Sequence, residues 1–321
     1  MKKTLLALIL LTPALAQPLP EALKRAPEAV GVVTAQLEYE ARQKDLARLE
    51  QDPLRTPLSL LQAKQARDLA QARLGRALAQ AELDIVSAYA QAREASLRVA
   101  LAEKALAVAE LGLRAAEVRV KGGGGTSLDL LEAQSRVREA EKNLEAARQG
   151  RKSARAALAN LVGPWEPESV QNLPPPPGQE VVETLLSEHA DLLQLRHSLE
   201  LLRFQRGLLD EAFAAKKDME ALEDQIRSLE ENRKGLERSL RVGLEARLGQ
   251  LLPLLQGVRA AEEAYRAAQE RLRAEEKRFQ AGLVSRLSLL QQELALLQAE
   301  LALEEAKHAY LKAYHGLMAS R

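Results

Sequence analysis

Downstream of a run of four glycines, apolar side chains recur at alternating steps of three and four: Leu130, Ala133, Val137, Ala140, Leu144, Ala147, Ala154, Leu158 and Leu161, with Arg151 the one polar position on the line. A period of 3.5 predicts a helix that supercoils left-handedly against a partner. The last helical stretch carries two such lines. One runs through Leu287, Leu290, Leu294, Leu297 and Leu301, and the other through Ala295, Ala299, Ala302, Ala306, Ala309 and Ala313. A helix with two adjacent seams touches neighbours on both sides, which suits the wall of a bundle or tube.

Breakers divide this pattern into elements. Gln17 to Gln51 reads as helix, ended by Pro53 and Pro57, because the residue before a proline is pushed out of the helical region. Leu58 to Val120 holds no proline and predicts a helix about 95 Å long. Lys121 to Gly125 must turn, since consecutive glycines hold a helix poorly. Thr126 or Ser127 then caps a helix running to Val162, with Asp129 in its first turn where the helix dipole favours an anion. Gly163 and Pro164 end it, and the prolines up to residue 179 predict an extended linker. Helix resumes from Val181 to Arg206, breaks around Gly207 to Phe213, and continues from Ala214 to Ala281 with a kink expected at Pro253. Ala281 to Ser285 forms a second tight turn before a final helix from Arg286 to Ala319.

The two turns stand at a constant offset of 159 residues (282 minus 123), and the match extends beyond glycine. Arg119 pairs with Arg278, Gly123 with Gly282, Leu128 with Leu287, Leu144 with Leu303 and Ala147 with Ala306. The chain therefore reads as a tandem repeat: residues 17–163, a Pro-rich linker at 164–179, and residues 180–321. The expected fold class is all-α, built from long antiparallel coiled-coil helices with few or no β-strands.

Composition narrows the functional classes. Apolar residues are 46% of the chain but aromatics only 3%, the usage of long helices rather than a compact core. The 46 basic and 45 acidic residues leave a net charge of +1, so nothing points to nucleic acid. Cysteine is absent. Lys2, Lys3, the apolar run Leu5 to Leu11 and Ala14-Leu15-Ala16 form a secretory signal peptide over residues 1–16. No other stretch is apolar enough to span a bilayer as a helix. The only histidines, His189, His197, His308 and His315, lack metal-ligand spacing and read as packed or solvated side chains. The glycine run lacks the Lys-Ser/Thr ending of a phosphate loop. No catalytic, cofactor or metal site is expected.

The turn sequences themselves carry a resemblance. Gly124 to Gln134 reads Gly-Gly-Thr-Ser-Leu-Asp-Leu-Leu-Glu-Ala-Gln, and Gly282 to Gln292 reads Gly-Leu-Val-Ser-Arg-Leu-Ser-Leu-Leu-Gln-Gln. Together with Pro20-Glu21-Ala22-Leu23 near the start, this tandem order resembles the TolC-type outer-membrane efflux proteins over nearly the whole chain. The resemblance implies a homotrimer forming a hollow periplasmic tube, a helical barrel that conducts rather than catalyses. It also implies that the turns lie at the tip of the tube, where they meet a periplasmic adaptor bound to an inner-membrane transporter. The tip residues so implied are Gly123, Thr126, Ser127, Asp129 and Glu132 in the first repeat, with Gly282, Leu283, Val284, Ser285 and Ser288 in the second.

Two departures stand out. Family members insert paired membrane strands in each repeat, and a membrane strand needs about 9–11 alternating residues. Neither Asp52 to Pro57 nor Gly207 to Phe213 with the charged stretch behind it can supply two of them. The barrel is therefore expected to be missing, and outer-membrane insertion is left open. Acidic residues that the family places at the constriction are replaced by Ser288 and Gln291, leaving Asp129 and Glu132. Asp129 has a second reading as a plain helix cap. The alternatives to a duct are a structural periplasmic coiled coil without transport and the periplasmic adaptor itself.

Overall fold

A computed structural model describes residues 16–209 and 216–321. The secretory leader lies outside the described residues except for Ala16, as does most of the expected break around residues 207–213. Helix dominates the described residues. Its elements are β1 (Ala16–Gln17), α1 (Leu19–Leu23), a 3-10 turn (Ala26–Glu28), α2 (Val30–Gln51), α3 (Pro57–Lys121), α4 (Ser127–Val162), β2 (Glu166–Pro167), α5 (Glu180–Glu188), α6 (Ala190–Gly207), α7 (Lys216–Gln280) and α8 (Arg286–Met318). Among the described residues the only strands are β1 and β2, two residues each, paired in parallel with Gln17 opposite Pro167. Neither approaches the length of a membrane strand. Among the same residues no helix is long and apolar enough to cross a membrane.

Two expected helices are subdivided. The first is interrupted by the 3-10 turn at Pro27, after which Ala29 is extended (φ −62°, ψ 136°) and α2 begins afresh. The stretch from Val181 onward breaks at His189, also extended, whose Nδ1 accepts the Asp191 N–H (3.3 Å) and so caps α6. Helix α7 continues through Pro253 without interruption.

Contacts group the chain into two compact units. Of the described residues, unit 1 takes 16–22, 88–171 and 263–305. In it α4 folds back on α3, with Arg148 pairing to Glu103 at 3.4 Å. On the other side α8 runs antiparallel to α3 along a ladder of ion pairs: Lys104 with Glu293, Arg98 with Glu305 (2.7 Å) and Arg93 with Glu300 (3.2 Å). Ala-rich faces make this approach close, with Ala92, Val99 and Ala116 fully shielded on α3. The heptad line of α4 faces inward as expected, Ala133, Leu144 and Leu158 being buried. It drifts at the end, where Val162 rather than Leu161 is buried, as an uncorrected 3.6-residue turn requires. The linker is tied to this unit by Arg155 with Glu166 (2.6 Å), Ser169 Oγ donating to Glu304 (2.6 Å), and Tyr89.

Of the described residues, unit 2 takes 23–87, 172–209, 216–262 and 306–321. Its core holds Ile85, Leu185, Leu192, Leu251, Tyr310 and Leu317. Helices α6 and α7 run antiparallel, joined by Arg206 with Glu223 (3.0 Å) and Arg203 with Glu230 (2.6 Å). Gln65 of α3 donates to Glu200 of α6 (2.8 Å), and the Tyr310 hydroxyl donates to the Pro174 carbonyl (2.6 Å).

Candidate functional site

The two glycine turns both lie in unit 1, and they are built alike, bond for bond. At the first, Gly122, Gly123 and Gly124 donate to the carbonyls of Val118 (3.0 Å), Val120 (3.1 Å) and Arg119 (2.9 Å). At the second, Ala281, Gly282 and Leu283 donate to Lys277 (3.1 Å), Phe279 (2.9 Å) and Arg278 (2.9 Å), the same positions 159 residues on. The crossed pair of bonds around one left-handed residue is a Schellman closure. Gly123 (φ 74°) and Gly282 (φ 73°) supply that residue. Gly125 serves close approach instead, since a Cβ there would sit 3.1 Å from Val120 Cγ2.

Each turn then starts its return helix with a hydroxyl cap. The Thr126 hydroxyl accepts the Asp129 N–H (3.2 Å), while Asp129 Oδ2 accepts the Thr126 N–H (2.8 Å) and hydroxyl (2.9 Å). This capping box holds the Asp129 carboxyl below its usual range, the Thr126 backbone bond being the largest cause. Ser285 caps α8 in the same way, accepting the Ser288 N–H at 3.2 Å. Ser288 does not complete a box. Its hydroxyl donates to Glu275 of α7, which is only 8% exposed and also takes Arg278 (3.1 Å). A carboxylate missing from position 288 in the sequence is thus supplied in space by the neighbouring helix. Only Arg278 carried a signal, through its match to Arg119; Glu275 falls opposite Ala116 and carried none.

The remaining tip residues divide by exposure. Ser127, Glu132, Gly282, Leu283 and Ser285 are open to solvent, and Val284 and Ser288 are half-buried. Large apolar side chains at the turns are strongly exposed: Leu283 72%, Val118 70% and Leu128 61%. Asp129 and Glu132 of α4 meet Arg119 of α3 and Leu287 and Gln291 of α8 in one groove of about 400 Å³. The groove is balanced rather than acidic, because Arg136 pairs with Glu132 at 3.7 Å and Arg119 faces Asp129. Among the described residues no group of three or more His, Cys, Asp or Glu is placed to hold a metal ion.

No protein-family model matches the chain, and no curated protein matches its sequence. Solved structures do match. The outer membrane protein VceC from Vibrio cholerae is 16% identical with a TM-score of 0.64, covering 94% of this chain and 95% of VceC. The outer membrane channel CmeC from Campylobacter jejuni is 11% identical with a TM-score of 0.65, covering 94% of this chain and 85% of that one. A membrane protein from Pseudomonas aeruginosa is 15% identical with a TM-score of 0.65, covering 94% and 89%. The chain has a TolC-like fold. Among the proteins that share it, CmeC is an outer-membrane channel.

Proposed function

We propose that this chain is the duct component of an envelope efflux or secretion system, exported by its leader to the periplasm or outer membrane. Three copies close a helical tube, each contributing two repeats (17–163 and 180–321) joined by the 164–179 linker. The turns at 121–126 and 281–285 dock a periplasmic adaptor that is held by an inner-membrane transporter. Gly123, Thr126, Ser127, Asp129 and Glu132, with Gly282, Leu283, Val284, Ser285 and Ser288, form that tip. The observation that carries this reading is the pair of Schellman-plus-cap turns built on equivalent residues in a fold shared with outer-membrane channels. Exposed Leu128, Val118 and Leu283 at those turns suit a protein partner.

Loss of the gene in its native host is expected to raise retention of exported dyes. Gly123→Pro or Gly282→Pro should fail to restore export while the oligomer survives, and normal export in both variants would contradict the tip role. A second reading, a periplasmic coiled coil without transport, draws on the two-residue strands, the only ones among the described residues. Envelope fractionation with a carbonate wash separates the two: a duct is retained with the outer membrane, a free coiled coil washes off. The adaptor reading fits less well, since adaptors carry β-rich segments.

A further inference from the structure

Three arginines of unit 2 converge on one cavity. Arg76 of α3, Arg247 of α7 and Arg321 line a space of about 280 Å³, together with His189 and the buried Leu244. Among the described residues no acidic side chain lines it. We infer that this cavity binds a phosphomonoester group or inorganic phosphate, the ester being carried by a free solute or by a lipid headgroup. The inference stands apart from the duct reading, since every residue it uses lies in unit 2, whereas the tip turns lie in unit 1.

Each donor is prepared by its own surroundings. Arg247 Nη1 donates to the Gly316 carbonyl (3.3 Å) and to the Ser320 hydroxyl, which fixes the guanidinium and leaves Nε and Nη2 uncommitted. Arg321 is held by its Nε on the Met318 carbonyl (3.1 Å) and by Glu188 at 3.5 Å. Arg76 is exposed and, among the described residues, makes neither a hydrogen bond nor an ion pair. Arg247 likewise has no carboxylate partner among them. The imidazole adds a neutral donor. His189 is 8% exposed, and its Nδ1 accepts the Asp191 N–H at 3.3 Å, so the uncharged ring carries its proton on Nε2. That N–H has no acceptor among the described residues. Burial first, and Arg76 after it, hold the ring below its ordinary value, while Asp191 pulls the other way.

The two unmatched guanidiniums call for an anion, and their N–H forks suit paired oxygens on one centre. A phosphomonoester carries about two negative charges at neutral pH and three acceptor oxygens. It can therefore answer Arg76 and Arg247 together and still accept from the imidazole, which a single carboxylate with two oxygens does less completely.

The test titrates the purified full chain with inorganic phosphate by calorimetry, slightly above neutral pH and at constant ionic strength in sodium chloride. The expected result is saturable binding of one phosphate per chain, with slower hydrogen exchange at residues 189–192 and 317–321. Arg76→Gln breaks no contact of the folded chain, so weaker binding there cannot be blamed on misfolding. It should weaken binding roughly tenfold or more, as should Arg247→Gln. Arg259→Gln removes the same charge from an exposed position of α7 outside the cavity and should leave binding unchanged. No saturable binding, or binding that Arg76→Gln does not weaken, or equal weakening by Arg259→Gln, overturns the inference and leaves an adventitious ion only. Vesicles of phosphatidylcholine with and without phosphatidic acid then separate the two carriers. Retention that needs phosphatidic acid and is lost in Arg76→Gln upholds the site and assigns it to a lipid headgroup. Phosphate binding without retention upholds it and assigns it to a free solute.

Discussion

Tyr89 and Glu168, 79 residues apart, exchange two hydrogen bonds: the Glu168 N–H donates to the Tyr89 hydroxyl at 2.7 Å, and that hydroxyl donates to the Glu168 carbonyl at 3.1 Å. One phenol thus satisfies both backbone groups of a linker residue that no helix or sheet serves. Tyr89 is 1% exposed, and burial pushes its phenol up to about 12. A raised folded pKa means that the bond's contribution is complete below the unfolded value of about 10 and is lost as pH rises from there toward about 12. Hydrogen exchange of the 166–170 amides should therefore accelerate over that alkaline window. Tyr89→Phe should show the acceleration at neutral pH already, with a loss of about 1–3 kcal/mol from the stranded Glu168 groups. Unchanged exchange in the variant would show that the phenol does not hold the linker.

At the start of α6 the sign is opposite. Burial holds the His189 imidazole below its ordinary value. A lowered folded pKa means that the stabilisation is present above the unfolded value of about 6.5 and is lost as pH falls through the folded value. Protonation also fills the Nδ1 lone pair that accepts the Asp191 N–H. Mild acid should fray the α5–α6 junction, seen as faster exchange at Asp191 and Leu192. His189→Asn, whose side-chain oxygen can cap without titrating, should flatten that pH dependence.

The glycines at the turns are replaceable only at a cost. Gly123→Ala and Gly282→Ala each force a Cβ into the left-handed region, worth about 1–2 kcal/mol. Exchange protection at the ends of α3 and α7 should fall roughly tenfold in the respective variants. Gly122→Ala, at a position with negative φ, should leave it nearly unchanged.

The ladder between α3 and α8 places a charged group among shielded ones. Glu304 is 2% exposed, and Arg93 reaches it at 3.7 Å as well as Glu300 at 3.2 Å. Removing one partner of a buried pair is far costlier than removing an exposed one. Arg93→Leu should cost on the order of 3 kcal/mol, whereas Arg98→Ala, half exposed, should cost less than about 1 kcal/mol. Thermal unfolding of the two variants checks the contrast.

The helices and turns were legible because their causes are local. Glycine marked both turns, proline marked the break at Asp52 to Pro57, and the 3.5 period marked the buried line of α4. The break at His189 was not legible, because no glycine or proline announces it and its cap is an imidazole. The second subdivision came from Pro27, which lies close enough to the start to pass as the edge of one helix. The Ser288–Glu275 contact and the α3–α8 ladder depend on the register between packed helices, which spacing along one helix does not contain. Arg119 likewise reaches Asp129 from the neighbouring helix α3, whereas Arg136 stands four residues from Glu132 on α4 itself, a pairing that spacing along one helix does contain.

The central claim is that copies of this chain close a hollow tube. Electron cryomicroscopy of the protein taken from its native envelope tests it most directly. The account predicts a ring of three copies around an open channel, with residues 121–126 and 281–285 of every copy at one end. A monomer, or a solid bundle without a channel, would contradict it.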